Sequence, residues 1–304
     1  MPNLLISVAI STFNRKVLLG RAIQSVLDQA WPNMDIVVVD DASTDGTQEF
    51  IAHYYPQTRY FRLEENQGCG AARNRALLEA IHSYVLILDD DDTLLPGSLH
   101  LISARMEVVP DLCKHPVVNF AHGNACVSRQ YLCATLGDYL GEGLSGDFIP
   151  VINRSLFQQD NLMYPLSRVG GEHLLWWRIA ERYGIPTWAD RVGTVNTDAP
   201  TRLTSVDSQI YYAREHAELQ ERTLNEFGNV LMHRFPAYYT KKLIGAGTYR
   251  FLADDRIKAR LHLHAAARSQ LTPSIVALWV LTFLPLSLAI ECFRTYRRMR
   301  TAAV

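Results

Sequence analysis

Apolar positions in the first third of the chain follow two alternating rhythms. Short apolar runs at residues 5–10, interrupted only by Ser7, and at 36–39 and 84–88 read as buried strands. Between the first two, Leu18, Leu19, Ala22, Ile23, Val26 and Leu27 recur at helical spacing, and Pro32 and Asn33 break that helix. A helix over 48–54 follows the second run, with Asp45 or Thr47 as its N-cap. Residues 59–63 form a short third strand, Gly68-Cys69-Gly70 a turn, and 71–81 another helix, so that 84–88 is the fourth strand. Alternating strand and helix signals predict an α/β fold with a mainly parallel sheet.

The rhythm then weakens. Residues 115–205 are less regular, and Gly141, Gly143 and Gly146 lack the spacing of a phosphate loop. Gly170-Gly171-Glu172-His173 precedes a helix over 174–183 that carries Trp176 and Trp177. Polar helices are expected over 207–228 and 253–268. Residues 274–290 hold no charge, Pro285 interrupts them, and Arg294, Arg297, Arg298 and Arg300 follow. A comfortable membrane span needs about 20 apolar residues. A single span would also set the N-terminal domain and the arginines on opposite sides. The consistent expectation is a segment, 273–304, lying on the inner face of a membrane with its arginines on anionic headgroups; the other reading is a buried helix or an oligomer contact.

Composition narrows the class without choosing a function. The chain has 304 residues, 48% hydrophobic and 20% charged, with a net charge of −1, which offers nucleic acid no global attraction. Its 5 cysteines show no CxxC spacing, against a disulfide framework or structural zinc and in favour of a reducing, cytoplasmic setting. The N-terminal apolar stretch is short, has no basic residue ahead of it, and reads as a strand rather than a signal peptide.

The chemistry concentrates at strand ends. Asp89 to Asp92 follow the fourth strand directly. Adjacent carboxylates repel, and a hard cation such as Mg²⁺ or Mn²⁺ relieves the repulsion; a solvated acidic turn capping the next helix is the plainer reading. Residues 12–15, Asp40-Asp41 and the aspartate run should converge on one crevice, because ligands of open α/β sheets bind outside the carboxyl ends of the strands.

Taken in order, these segments resemble the family 2 glycosyltransferases of the GT-A fold. The matching stretches are residues 8–15, 37–47, 66–74, 88–92 and the Gly-Gly-Glu-His-Leu-Leu-Trp-Trp run from Gly170. The resemblance implies a Rossmann-like mixed sheet flanked by helices over residues 1–205, with a nucleotide-sugar half (1–112) and an acceptor half (113–205). A helical extension (206–272) and the apolar and basic segment (273–304) would follow.

The resemblance also implies roles. Thr12, Phe13, Asn14 and Arg15 would line the nucleotide pocket, with Asp41 and Asp40 accepting from a uracil ring. Asn66, Gly68, Arg73 and Asn74 would approach the sugar and diphosphate. Asp89 to Asp92 would be the DxD motif, with Asp91 and Asp89 on the metal and Asp90 beside the donor. The expected cofactor is Mn²⁺ or Mg²⁺, and the expected reaction is inverting transfer from a UDP-sugar to a glycan or lipid-linked acceptor in surface polysaccharide assembly.

The family's general base is usually the Asp of a Glu-Asp pair at a helix start, and here the pair reads Glu172-His173. Both are candidates, since imidazole titrates near 6.5 but a helix N-terminus disfavours its cation. Trp176 is a candidate acceptor platform. The departure also motivates a rival from another class, a nucleotide-sugar-binding scaffold without turnover. A nucleotidyltransferase would need a glycine-rich loop after the first strand, and residues 11–15 contain no glycine.

Overall fold

The computed structural model describes residues 4–141, 143–196 and 205–301; the side chains of Ala289 and of residues 296–301 lie outside the description. Arg297, Arg298 and Arg300 of the predicted basic cluster therefore fall outside the described side chains. Two compact units divide the chain at residues 199 and 200.

In the first unit the described residues form β1 (Ile6–Thr12), α1 (Lys16–Leu27), β2 (Asp35–Asp40), α2 (Thr47–Tyr54), β3 (Arg59–Arg62), α3 (Cys69–Glu79) and β4 (Tyr84–Asp89). Then come β5 (Asp92–Leu94), α4 (Ser98–Glu107), β6 (Val117–Val127), β7 (Tyr131–Ala134), α5 (Leu136–Leu140), β8 (Leu144–Asn153), α6 (Arg154–Gln159), α7 (Glu172–Arg182) and β9 (Ile185–Val195). The strands form one sheet in the order β3-β2-β1-β4-β8-β6-β9-β5, with β7 on β9. The β3-β2-β1-β4 half is parallel, whereas β8 runs antiparallel to both β4 and β6.

The apolar runs are explained by helices on both faces. Ile6, Val8, Ile10, Val38, Leu86 and Leu88 pack with Leu19, Ile23 and Val26 of α1 and Leu99, Ile102 and Met106 of α4. The alternate positions Ala9, Val37, Val39, Val85 and Ile87 pack with Ala72 and Ala76 of α3 and Leu175 and Ile179 of α7. Period-two alternation is present, and neither face meets water.

The irregular middle is mostly sheet. β6, β8 and β9 are long strands at the centre and far half of the sheet, unmarked in the sequence because polar residues interrupt them and their partners are distant. Local boundaries also shift. Gly46, with a left-handed φ of 84°, is the N-cap of α2, while the Asp45 carboxylate accepts the Thr47 N–H at 3.2 Å. Helix α3 begins at Cys69, so the predicted turn is its first turn.

The second unit is helical: α8 (Val206–Tyr211), α9 (Ala213–Arg234), α10 (Pro236–Leu252), α11 (Arg256–Ser269), α12 (Pro273–Leu281) and α13 (Leu286–Thr301). Helix α10 packs on α9 and α11 and has no counterpart in the periodicity reading. Its Arg250 meets both carboxylate oxygens of Glu221 on α9, at 2.8 and 2.5 Å, and His262 of α11 lies 2.8 Å from the same carboxylate. The uncharged 274–290 stretch is two helices that break around Pro285, and among the described residues no helix is long and apolar enough to cross a membrane.

Candidate active site

Strands β1, β2 and β4 end level, with Thr12 beside Asp40 and Ser11 beside Asp89. The polar residues after each strand therefore leave the sheet at one edge. Thr12 Oγ1 donates to Asp90 Oδ2 at 2.7 Å. Arg15 reaches Asp90 Oδ1 at 3.0 Å and Asp91 Oδ2 at 3.3 Å. Asn14 takes a left-handed φ of 54°, which asparagine tolerates, and its Oδ1 accepts the Thr44 N–H at 2.7 Å. Phe13 is exposed on the same loop.

The Asp40-Asp41 pair is buried and engaged within the protein. Asp40 accepts the Ser43 N–H at 2.8 Å and the Tyr60 hydroxyl at 2.5 Å. Asp41 accepts the N–H groups of Gln67 and Gly68, both at 2.8 Å. Each of these carboxylate oxygens already has a protein donor, so the pair shapes the loops that border the crevice.

The 66–74 segment is fastened to the loop that leads into α7. An added Cβ at Gly68, where φ is 92°, would lie 2.6 Å from the Ser167 carbonyl oxygen, and one at Gly70 would collide with the Pro165 carbonyl. The close approach these glycines permit here is therefore to the chain's own backbone. Asn74 uses both ends of its amide on the Tyr164 backbone, at 2.9 and 2.8 Å, and the Asn66 carbonyl accepts from Arg168 at 3.3 Å.

Arg73 stands at the centre. Its guanidinium donates to Asp89 Oδ1 at 2.5 Å and to Glu172 Oε1 at 2.7 Å. Burial disfavours its charge, but the carboxylates of Asp89 and Glu172 hold it firmly protonated. Cys69 Sγ lies 3.6 Å from Glu172 Oε1, and burial pushes the thiol up to about 12, leaving it an inert neutral group. Tyr164 is fully buried against Arg73 and meets Trp176 edge to face, with ring centroids 5.6 Å apart. Trp176 is thus half-buried against the core, and Trp177 is buried. His173 lies edge-on to Trp177, 5.0 Å between centroids, while Glu172 turns toward Arg73.

Asp92, beyond the DxD pair, and His122, outside every motif, also belong to this cluster. Asp89, Asp91 and Asp92 each present an oxygen within 4.8 Å of the others. His122 on β6 is buried, and its Nε2 lies 3.4 Å from Asp92 Oδ2 without a hydrogen-bond partner among the described residues. Gly193 of β9 leaves room for that ring, since a Cβ there would lie 2.9 Å from His122 Cδ2. The sequence carries no local signal for His122; only the β6–β9 pairing brings it in.

The donor set fits a hard divalent cation. Burial, then Asp89 and Asp91, push the Asp92 carboxyl up to about 8. Asp90 differs: burial raises it to about 6 against the pull of Arg15 and Thr12, and its oxygens face those two residues. Three carboxylate oxygens grouped this way match the preference of Mg²⁺ and Mn²⁺ for oxygen ligands.

Comparison with known proteins agrees with this geometry. Residues 7–127 match the family model for Glycosyl transferase family 2. The GalNAc(5)-diNAcBac-PP-undecaprenol beta-1,3-glucosyltransferase of Campylobacter jejuni is 33% identical over 192 residues, 58% of this chain and 59% of that protein. The putative colanic acid biosynthesis glycosyl transferase WcaA of Escherichia coli is 31% identical over 183 residues, 59% of this chain and 60% of that protein. The matched stretch is thus under two thirds of either relative. S. aureus TarS 1–349 in complex with UDP-GlcNAc superposes with a TM-score of 0.58 at 19% identity, covering 96% of this chain and 91% of that one. A mannosyltransferase from Pyrobaculum calidifontis in complex with GDP-Man and Mn²⁺ gives 0.55 at 19%, covering 97% and 84%. Residues 7–127 are thus similar to family 2 glycosyltransferases, and the chain shares the fold of solved GT-A glycosyltransferases.

Proposed function

We propose that this protein is a metal-dependent, inverting glycosyltransferase that moves a sugar from a UDP-activated donor to a glycan or lipid-linked acceptor in surface polysaccharide assembly. The observation that carries the reading is the grouping of Asp89, Asp91 and Asp92 at the carboxyl ends of the sheet, with Glu172 joined to them through Arg73. The donor class is supported by the TarS structure, which holds UDP-GlcNAc. The acceptor class is supported by the undecaprenol-linked glycan in the name of the Campylobacter relative.

In this reading Thr12, Phe13, Asn14 and Arg15 border the nucleotide, and Asp40 and Asp41 hold the loops that enclose it. Asn66, Gly68, Arg73 and Asn74 build the wall beside the donor, with Asp90 fixing Thr12 and Arg15. Asp89, Asp91 and Asp92 would hold Mn²⁺ or Mg²⁺, which would supply positive charge against the departing diphosphate. Glu172 takes the proton of the acceptor hydroxyl; His173, edge-on to Trp177, is the less favoured base. Residues 1–112 serve the donor, and 113–205, including Trp176, the acceptor. Nucleoside diphosphate release tests the reading: D91N and E172Q should each lose at least about 10²-fold in turnover, and H173N less. Full metal-dependent turnover of D91N would refute the metal assignment.

Residues 273–304 seat the protein on the inner face of a membrane. Val276, Trp279, Val280 and Phe283 recur at i, i+3, i+4 and i+7 on α12 and its C-terminal turn, and all four are exposed. The flanking side, Ile275 and Thr282, is buried. Arg260 fixes this turn by donating to Thr282 Oγ1 at 2.9 Å and to its carbonyl at 3.1 Å, while its guanidinium covers Phe283 at 3.9 Å. An outward apolar stripe followed by an arginine-rich helix matches a headgroup–acyl boundary with anionic lipid.

A further inference from the structure

One side chain is tied to both ends of the proposed chemistry. Arg73 gives one guanidinium nitrogen to Asp89 Oδ1 at 2.5 Å and another to Glu172 Oε1 at 2.7 Å. Asp89 closes β4 and Glu172 opens α7, so a single planar fork spans two separately anchored elements. The fork is held in place. The arginine side chain is 12% exposed, and its guanidinium carbon lies 5.4 Å from the centroid of the buried Tyr164 ring. Its stem rises from α3, which Asn74 fastens to Tyr164. A guanidinium so confined fixes direction as well as charge, which a lysine on the same stem would not.

Glu172 is held by one oxygen only. Oε1 receives Arg73 and the weak Cys69 thiol, whereas Oε2 has no hydrogen-bond partner among the described residues and lies beside Gly170, whose added Cβ would be 3.1 Å away. A bidentate clamp would occupy both oxygens. This end-on contact fixes the carboxylate and leaves the second oxygen to accept a proton, the arrangement of a base oriented by a third group.

We propose that Arg73 is the positioning residue of the transfer step, anchoring Glu172 by Oε1 so that Oε2 meets the acceptor hydroxyl, and tying that placement to the donor end through Asp89. The hydroxyl proton passes to Oε2. The freed oxygen pair forms the bond to the anomeric carbon, and the bond from that carbon to the diphosphate oxygen breaks with its electrons on the diphosphate. The inference rests on the Glu172 reading above. It differs from a phosphate-binding arginine, which would act on donor affinity.

The test compares R73K, E172Q and the double variant in the full chain. Turnover is read as nucleoside diphosphate release from whichever donor of a nucleotide-sugar panel the wild type consumes. Affinity for UDP with Mn²⁺ is read by calorimetry. R73K should lose about 10²-fold in kcat, the low end of a positioned base's contribution. Its affinity for UDP with Mn²⁺ should stay within roughly threefold of wild type. R73K/E172Q should be no slower than E172Q by more than roughly threefold, because two residues acting as a unit are not additive. A tenfold or greater loss of UDP affinity with kcat retained would assign Arg73 to phosphate and overturn the proposal. Multiplying losses in the double variant would overturn it as well. A slow R73K beside a wild-type-like E172Q would remove Glu172 as the base and the proposal with it, leaving the transferase reading intact. If R73K loses its thermal transition, R73Q takes its place under the same criteria.

Discussion

Asp41 accepts the backbone N–H of Gln67 on one carboxylate oxygen and that of Gly68 on the other, both at 2.8 Å. A residue at the end of β2 thereby fixes the loop that opens α3 and carries Arg73. In D41N one amide faces an acceptor and the other a donor. The unsatisfied buried group should cost about 2 kcal/mol, and the melting temperature should fall by roughly 4–8 °C. Thermal denaturation of the purified variant checks this.

Two glycines, Gly70 in the first turn of α3 and Gly97 at the start of α4, separate two effects. At Gly97, where φ is 77°, an added Cβ meets nothing within 4 Å, so G97A carries only the left-handed backbone strain, about 1 kcal/mol. G70A must displace the Pro165 carbonyl, and should cost about 3 kcal/mol or more by overpacking. Denaturant midpoints of the two variants should rank in that order.

Glu221 sets an acid limit on the helical unit. Its hydrogen bond from Arg250, aided by His262, holds the carboxyl down at about 2, against an ordinary value of 4.5. A depressed carboxylate contributes stability that is complete above the ordinary value and is lost as pH falls from about 4.5 toward 2. E221Q should remove that pH dependence and destabilise by about 2 kcal/mol at neutral pH, since the buried Arg250 loses its charged partner. Circular dichroism melts across acid pH read both effects.

Pelleting with vesicles tests the α12 stripe. Wild-type chain should pellet with vesicles rich in anionic lipid and release at high salt, whereas W279E/F283E should stay in solution. Equal pelleting of both would place the contact elsewhere.

How much of this was legible in the sequence depends on distance along the chain. The strands at 6–12, 35–40 and 84–89 are readable because each is a local apolar run, and their shared polar ends follow from parallel topology. Asp89 and Asp91 stand out by their charge alone, and Glu172 by its place at a helix start. Asp92 belongs to the same run, but His122 carries no such signal: their meeting depends on β5 and β6 both pairing with β9, the latter across a slipped register, which no local pattern encodes. Nor does any motif foretell that Arg73 reaches Glu172, because that contact rests on Gly70 and Asn74 docking to the 164–168 loop. Helix α10 leaves little periodic signal because small and polar residues dilute its apolar face.

The most direct test of the account is thermal stabilisation by a panel of nucleotide sugars, with Mn²⁺ and with chelator, on wild type and D91N. A uridine-diphosphate sugar should raise the wild-type melting temperature only when Mn²⁺ is present, and D91N should lose the effect. Equal stabilisation with chelator and in D91N, or none by any nucleotide sugar, would contradict it.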